Sequence, residues 1–333
     1  MENITLGSGR FMALDENDKK NIPDDFLRGQ SPTFLEYYDY LLQGGFDELD
    51  HELLSLFNLS NWWRYSDDDI VGNTLPSSEK DRIVKSLKRE YYLANAYCAV
   101  NVLRRIFTQP LYDSFVKMSS VYYSTYYQIL REIMFDIHQL KNMYRFYVLK
   151  DTHYIHSENG AIHAIPLHNT LRQALYGNIS FHSFADYESC SSIAIIRQII
   201  ELRIRRAIGV LATCQNKSVY PLAMSTVFQI LEKYDISFSC RLSSIKLIYE
   251  WGNLFIHSGR KDWAWIAFFL EKYLKPLSFG NPPTEKGFNC NDGIKMSKST
   301  LEAIQNDILD DVHKKFPQRD LYRCDPQCVL LDA

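Results

Sequence analysis

The sequence predicts a mostly α protein, and three observations carry this. Glycine and proline are scarce, 14 and 11 in 333 residues, so the turn signals that punctuate a β-rich chain are few. Apolar and aromatic residues recur at helical spacing, as in Met118, Tyr122, Tyr126, Leu130, Met134 and Ile137, which places them on one helix face. Hydrophobic residues make up 46% of the chain and aromatics 14%, ample material for cores at a length comfortable for two domains.

Residues 1–30 are polar and are expected to be irregular. Ser31-Pro32 opens a short helix through Leu42, with Pro at the first helical position and Gly44-Gly45 closing it. Asp47 to Phe57 reads as a second. Tyr65 to Ser78 is acidic and turn-rich, a boundary. The Ser77-Ser78-Glu79 signal starts a long helix to Ile106, and Pro110 starts another through Leu149. These two are expected to form a hairpin, whose Tyr122, Tyr123, Tyr126 and Tyr127 read as core and interface aromatics rather than a ligand cage. Thr152 to Ile165 breaks the pattern. It reads as a small β-hairpin with Asn159-Gly160 supplying the positive φ of the turn.

Four helices follow: Asp186–Thr213, Pro221–Tyr234, Arg241–Ser258, and Trp263–Leu274, which stops before Pro276. Ser278 to Cys290 is loop-like, Ser297 to Phe316 is a charged helix, and the rest is a tail. The domains expected are residues 1–180, a helical region ending in the β-hairpin; 181–277, a four-helix bundle; and 278–333, the final helix and tail.

Charge and cysteine usage narrow the function classes. The net charge of −3 creates no whole-chain field for nucleic acid or membrane. Seven scattered cysteines read as reduced thiols rather than a disulfide framework. Residues 1–25 are polar, so no signal peptide is expected there, and no run approaches the roughly 18–20 apolar residues of a membrane span. A cytoplasmic protein with no membrane partner is expected.

The third helix of the set is the most informative. Lys246, Glu250, Asn253 and His257 fall at spacings of four, three and four, one polar stripe on an apolar helix. His257 sits at the helix end, with Gly259 as the expected C-cap. A helix C-terminus attracts positive charge, so a cationic imidazole there can bind a phosphate or act as an acid. On the first helix, Ile193, Ile196, Ile199, Ile200, Ile204, Ala207, Val210 and Leu211 define an apolar arc. Arg197, Glu201 and Arg205 run beside it at i, i+4 spacing, a solvated ion ladder. Arg203 points into the arc, where a charge is costly unless paired. Glu250 is its natural partner. An inward polar cluster of Arg203, Glu250, Asn253 and His257 is therefore expected, either as a site or as a structural network.

A four-helix set whose third helix ends in Asn-x-x-x-His resembles the HEPN superfamily over roughly residues 183–277. Those proteins are small α-bundles, many of them RNases of toxin–antitoxin, CRISPR and phage-defence systems. Their motif is often written Arg-Asn-x-x-x-His at the end of the third helix. Asn253 and His257 match it, while Gly252 holds the arginine's place and Trp251 and Glu250 hold the longer-spaced alternatives. The resemblance implies an RNA-acting protein in a toxin or antiviral defence setting, with an antitoxin or defence-system protein as a further partner. It also implies a homodimer through the C-terminal bundle, in which the Trp263, Trp265, Phe268 and Phe269 helix is a candidate interface. A metal-independent endoribonuclease needs histidine for proton transfer and arginine for phosphate charge. With Gly252 in the motif position, cleavage and binding without cleavage both stay open. The alternative class is a non-enzymatic helical adaptor or sensor for a protein partner.

Other motifs carry less. Lys295-Met296-Ser297-Lys298-Ser299 spells the phosphate-binding loop of class I aminoacyl-tRNA synthetases. The β–α alternation that such a loop requires is missing, and a serine cap for the following helix is the expected use. His153 and His156 are three apart in the predicted strand and so face opposite ways. No metal and no cofactor are expected.

Overall fold

The structure, a computed structural model, describes residues 33–117, 124–151, 191–259, 262–280 and 291–331. The predicted β-hairpin at 152–165, with His153, His156 and His163, lies outside these, as do Tyr122 and Tyr123. The described chain is mostly α. In order, its elements are α1 (Phe34–Tyr40), a π-helical turn (Leu41–Gly45) that leads directly into α2 (Phe46–Leu56), α3 (Asp67–Thr74), α4 (Glu79–Ser86), α5 (Arg89–Ile106), α6 (Gln109–Val116), α7 (Ser124–Tyr147), α8 (Ser191–Ala207), β1 (Val210–Gln215), β2 (Ser218–Tyr220), α9 (Met224–Leu231), β3 (Ser237–Phe238), α10 (Leu242–Ser258), α11 (Ala264–Phe279), β4 (Ile294–Ser297), α12 (Lys298–Lys315), β5 (Asp320–Arg323) and β6 (Val329–Leu331). None of the described helices is long and apolar enough to cross a membrane.

The chain divides into two compact units. The first takes residues 1–66, 83–190 and 260–268; the second takes 67–82, 191–259 and 269–333. Both units thus draw on segments that the linear boundaries at 180 and 277 keep apart.

In the first unit, α5 and α7 pack together as the expected hairpin. Thr33 caps α1 in a full capping box with Glu36. Tyr38 lies edge-on to Phe107 and Tyr112, with ring centroids 5.2 and 5.3 Å apart, and its hydroxyl donates to Thr108 O at 2.7 Å. Tyr126, half-buried, meets the ring of Phe115 at 5.0 Å. The helix read as continuous from Ser77 to Ile106 is two helices, α4 and α5. Lys88 is extended between them. The Ser86 carbonyl, which continuation would pair with a helical N–H, instead accepts from Tyr92 Oη at 2.7 Å.

Trp263 and Trp265 stack at 5.3 Å and 7°. Their indoles donate to Tyr91 Oη at 2.8 Å and Asn95 Oδ1 at 3.1 Å, and Asp136 accepts from Ala264 N at the start of α11. Trp263, Trp265 and Phe269 are buried. The aromatic face considered for a dimer is therefore core, because each indole N–H finds its partner inside the protein.

The second unit pairs α8 with α10, α10 with α3, and α9 with α12. It carries two small sheets, ordered β2-β1-β5 and β3-β4-β6. The first is antiparallel throughout; in the second β4 pairs antiparallel with β3 and parallel with β6. The helix expected to reach Thr213 ends at Ala207. Gly209, at φ 69°, turns the chain left-handed, and a Cβ there would lie 2.9 Å from Pro326 and 3.0 Å from the Cys324 carbonyl. The β-hairpin β1–β2 follows, its turn made by Asn216 and Lys217 at φ 49° and 69°. The expected tail is not a tail, since β5 and β6 each close a sheet edge. Ser297 caps α12, accepting from Thr300 N at 3.0 Å, and Lys295 pairs with Asp292 at 3.0 Å. The phosphate-loop look-alike is thus a strand running into a capped helix.

Candidate functional site

The predicted stripe lies on α10, which ends as expected on Gly259 in the left-handed conformation at φ 61°. Its members separate by environment. Lys246 pairs with Glu232 of the segment after α9 at 2.7 Å. Glu250 is half-buried, and burial raises its carboxyl above the ordinary value, with Lys246 opposing and Glu232 adding to the rise. Asn253 is half-buried and His257 is exposed.

The expected pairing of Arg203 with Glu250 is corrected. Arg203 is buried, as its place in the apolar arc required. It turns, however, to main-chain carbonyls, donating from Nε to Leu277 O at 2.8 Å and from a terminal nitrogen to Gln327 O at 2.6 Å. Leu277 belongs to the last turn of α11, where carbonyls lack intrahelical partners. The arginine caps one helix and holds the returning chain. Gln327 N in turn donates to Arg206 O at 2.8 Å, and Cys324 N to Gly209 O at 3.0 Å. Arg203 therefore belongs to the junction of α8, α11 and the C-terminal segment, and Glu250 to the Lys246–Glu232 side of α10.

A different arginine reaches the stripe. Arg197 of α8 donates from Nε to Asn253 Oδ1 at 2.6 Å and from a terminal nitrogen to Tyr249 Oη at 2.9 Å. Its guanidinium carbon lies 4.8 Å from the centre of the Tyr249 ring, within cation–π range. Glu201 joins from the same helix, 3.0 Å from Arg197 and 2.7 Å from Arg205. Arg205 is anchored further by donation to Leu222 O at 2.7 Å. The i, i+4 ladder predicted on α8 is present. It is not a solvated ladder, because the side chains of Arg197, Glu201 and Arg205 are only 25%, 18% and 13% exposed.

Gly252 explains how this happens. A Cβ on Gly252 would stand 2.9 Å from the Cβ of Arg197, so only glycine lets the two helices approach this closely. The signal was present in the sequence: an isolated glycine inside an apolar helix marks close packing. It marks a close approach on that face of α10 but names neither the partner helix nor the residue opposite.

The site thus brings together Arg197, Glu201, Arg205, Tyr249 and Asn253. Of the four residues expected, it includes Asn253 alone. His257 follows one turn later on the same face of α10. Two guanidiniums face one carboxylate, which leaves an excess of positive charge. The Tyr249 hydroxyl is raised above its ordinary value by burial first and by Glu201 second, while Arg197 and Arg205 pull it down. It therefore stays protonated as a donor and an acceptor. Among the described residues no group of three or more His, Cys, Asp or Glu could hold a metal ion.

Together these features describe a helical protein with a half-buried arginine network beside a helix-terminal histidine. Comparison with protein-family models, with curated proteins and with solved structures produced no match.

Proposed function

We propose that the protein binds RNA through the face where α8 meets α10, as a HEPN-like bundle in which the arginine comes from the neighbouring helix. One observation carries this reading: the 2.6 Å bond from Arg197 Nε to Asn253 Oδ1, beside the glycine that occupies the motif arginine's place. Arg197 is then the phosphate-directed cation and His257 the exposed imidazole that meets the ribose-phosphate backbone. An arginine fork suits phosphate oxygens, and an imidazole on the same face suits a proton transfer at a ribose hydroxyl. The toxin or antiviral setting, with an antitoxin or defence-system protein as partner, follows from the same resemblance.

The test is anisotropy with labelled single-stranded RNA, read at several salt concentrations, beside a gel assay for cleavage products. Wild type should bind with affinity that falls as salt rises. His257→Ala should lose about 1 kcal/mol of binding, roughly fivefold in affinity, with no change in melting temperature. Products formed by wild type and lost in His257→Ala would make the protein an endoribonuclease. No binding by wild type would remove the reading.

A second reading, a helical adaptor or a homodimer, is favoured by one specific observation. Ile195, Ile199 and Leu202 form a stripe on α8 that is 57%, 40% and 45% exposed, although Ile199 was expected in the buried arc. Sedimentation of wild type and Leu202→Asp tests it: an associated wild type and a monomeric variant support association through α8.

A further inference from the structure

The arginine network has the form of an anion site already filled from within. Glu201 places one oxygen 2.7 Å from Arg205 and the other 3.0 Å from Arg197. Each arginine is held in place without it. Arg197 is fixed by Asn253 and by the hydroxyl and ring of Tyr249, and Arg205 by the Leu222 carbonyl. Removing the carboxylate therefore leaves two guanidiniums still aimed at the space between them. That space suits one oxyanion whose oxygens accept from a terminal nitrogen of each guanidinium, as the Glu201 oxygens do. The three side chains are only partly buried, so an anion from solution can reach them.

We infer that Arg197 and Arg205 form a phosphate-binding site for which Glu201 is the internal occupant, displaced when a phosphate group enters. The inference rests on the RNA reading only for the source of the phosphate. A phosphodiester of an RNA backbone and free inorganic phosphate present the same oxyanion to the two forks. Glu201 then sets the affinity of the site: it neutralises the arginines when no anion is bound and must be outcompeted for binding to occur.

The experiment compares wild type with Glu201→Gln, which keeps the shape of the side chain and removes its charge. Inorganic phosphate is titrated first, with arginine Nε–H signals followed by NMR; single-stranded RNA is titrated second. Phosphate should shift the Arg197 and Arg205 signals in both proteins and bind Glu201→Gln about tenfold more tightly, and RNA binding should gain about 0.7 in salt slope for one added phosphate contact. Adding Arg205→Gln to Glu201→Gln should abolish the gain. If folded Glu201→Gln binds phosphate no better than wild type, the inference is overturned. If Glu201→Gln does not fold, the wild-type titration decides alone, and unmoved Arg197 and Arg205 signals overturn it. Tighter phosphate binding with no RNA binding by either protein upholds the site and removes the RNA reading.

Discussion

Gly252 on α10 lies so close to Arg197 on α8 that a Cβ on the glycine would stand 2.9 Å from the arginine's Cβ. The contact is with the root of the Arg197 side chain and not its flexible end. The helices must move apart to admit any side chain. Gly252→Ala is expected to destabilise the protein by about 1–2 kcal/mol, because overpacking outweighs the gain in helix propensity. Gly252→Arg, with a far larger side chain at the same place, should cost more still. Urea unfolding monitored by tryptophan fluorescence measures both. A Gly252→Ala protein as stable as wild type would show that the close approach is not needed.

Arg203 holds two carbonyls from segments distant in sequence, Leu277 O and Gln327 O. Arg203→Met should cost about 2–4 kcal/mol, since buried acceptors lose their donor. Arg203→Lys should fall between, with charge kept but the fork lost. Hydrogen exchange gives the diagnostic pattern: the Gln327 amide should exchange faster in Arg203→Met. Unchanged exchange there would mean that the returning chain is held by other bonds.

Asp68 ties α3 to two distant helices. One carboxylate oxygen accepts from Ser244 Oγ and from Tyr273 Oη, each at 2.6 Å. Asp68→Ala should lower stability by about 2–3 kcal/mol, because two hydroxyls, one of them on a buried serine, lose a charged acceptor. Tyr273→Phe should cost about 1 kcal/mol, as one donor is removed and the acceptor keeps Ser244. Denaturant melts of the two single variants and the double variant give the coupling between them.

Glu250 titrates with a raised value in the folded state because burial disfavours its charged form. The folded protein therefore holds this proton more tightly than the unfolded chain. The resulting stabilisation is complete below the unfolded carboxylate range and is lost as pH rises through the raised folded value. Glu250→Gln should melt higher than wild type at neutral pH, with the advantage shrinking toward acid pH. Melting temperatures from pH 4 to 8 check this; a constant difference across the range would mean that Glu250 does not carry the effect.

His257 should behave differently from all of these. It is exposed, so His257→Ala should leave urea unfolding within about 0.5 kcal/mol of wild type. A fall in RNA affinity measured on the same samples then reports contact with the ligand and not a loss of fold.

The sequence by itself determined the helical character of the chain, a helix from Arg241 to Ser258 with its Gly259 cap, and a serine cap, at Ser297 or Ser299, for the helix that follows. It also determined that Arg203 faces inward. These follow from local periodicity, capping chemistry and the cost of exposing apolar surface, which act over a few residues. Only the tertiary structure decided which partners those residues take. Arg203 meets carbonyls because the end of α11 and the returning C-terminal segment leave acceptors at that spot. Arg197 meets Asn253 because Gly252 admits its helix. The stretch after Ala207 became a strand because β2 and β5, the latter more than a hundred residues away, supply its ladder. Partner choice depends on the distance between elements that the chain brings together only on folding, and spacing along one helix carries no record of it.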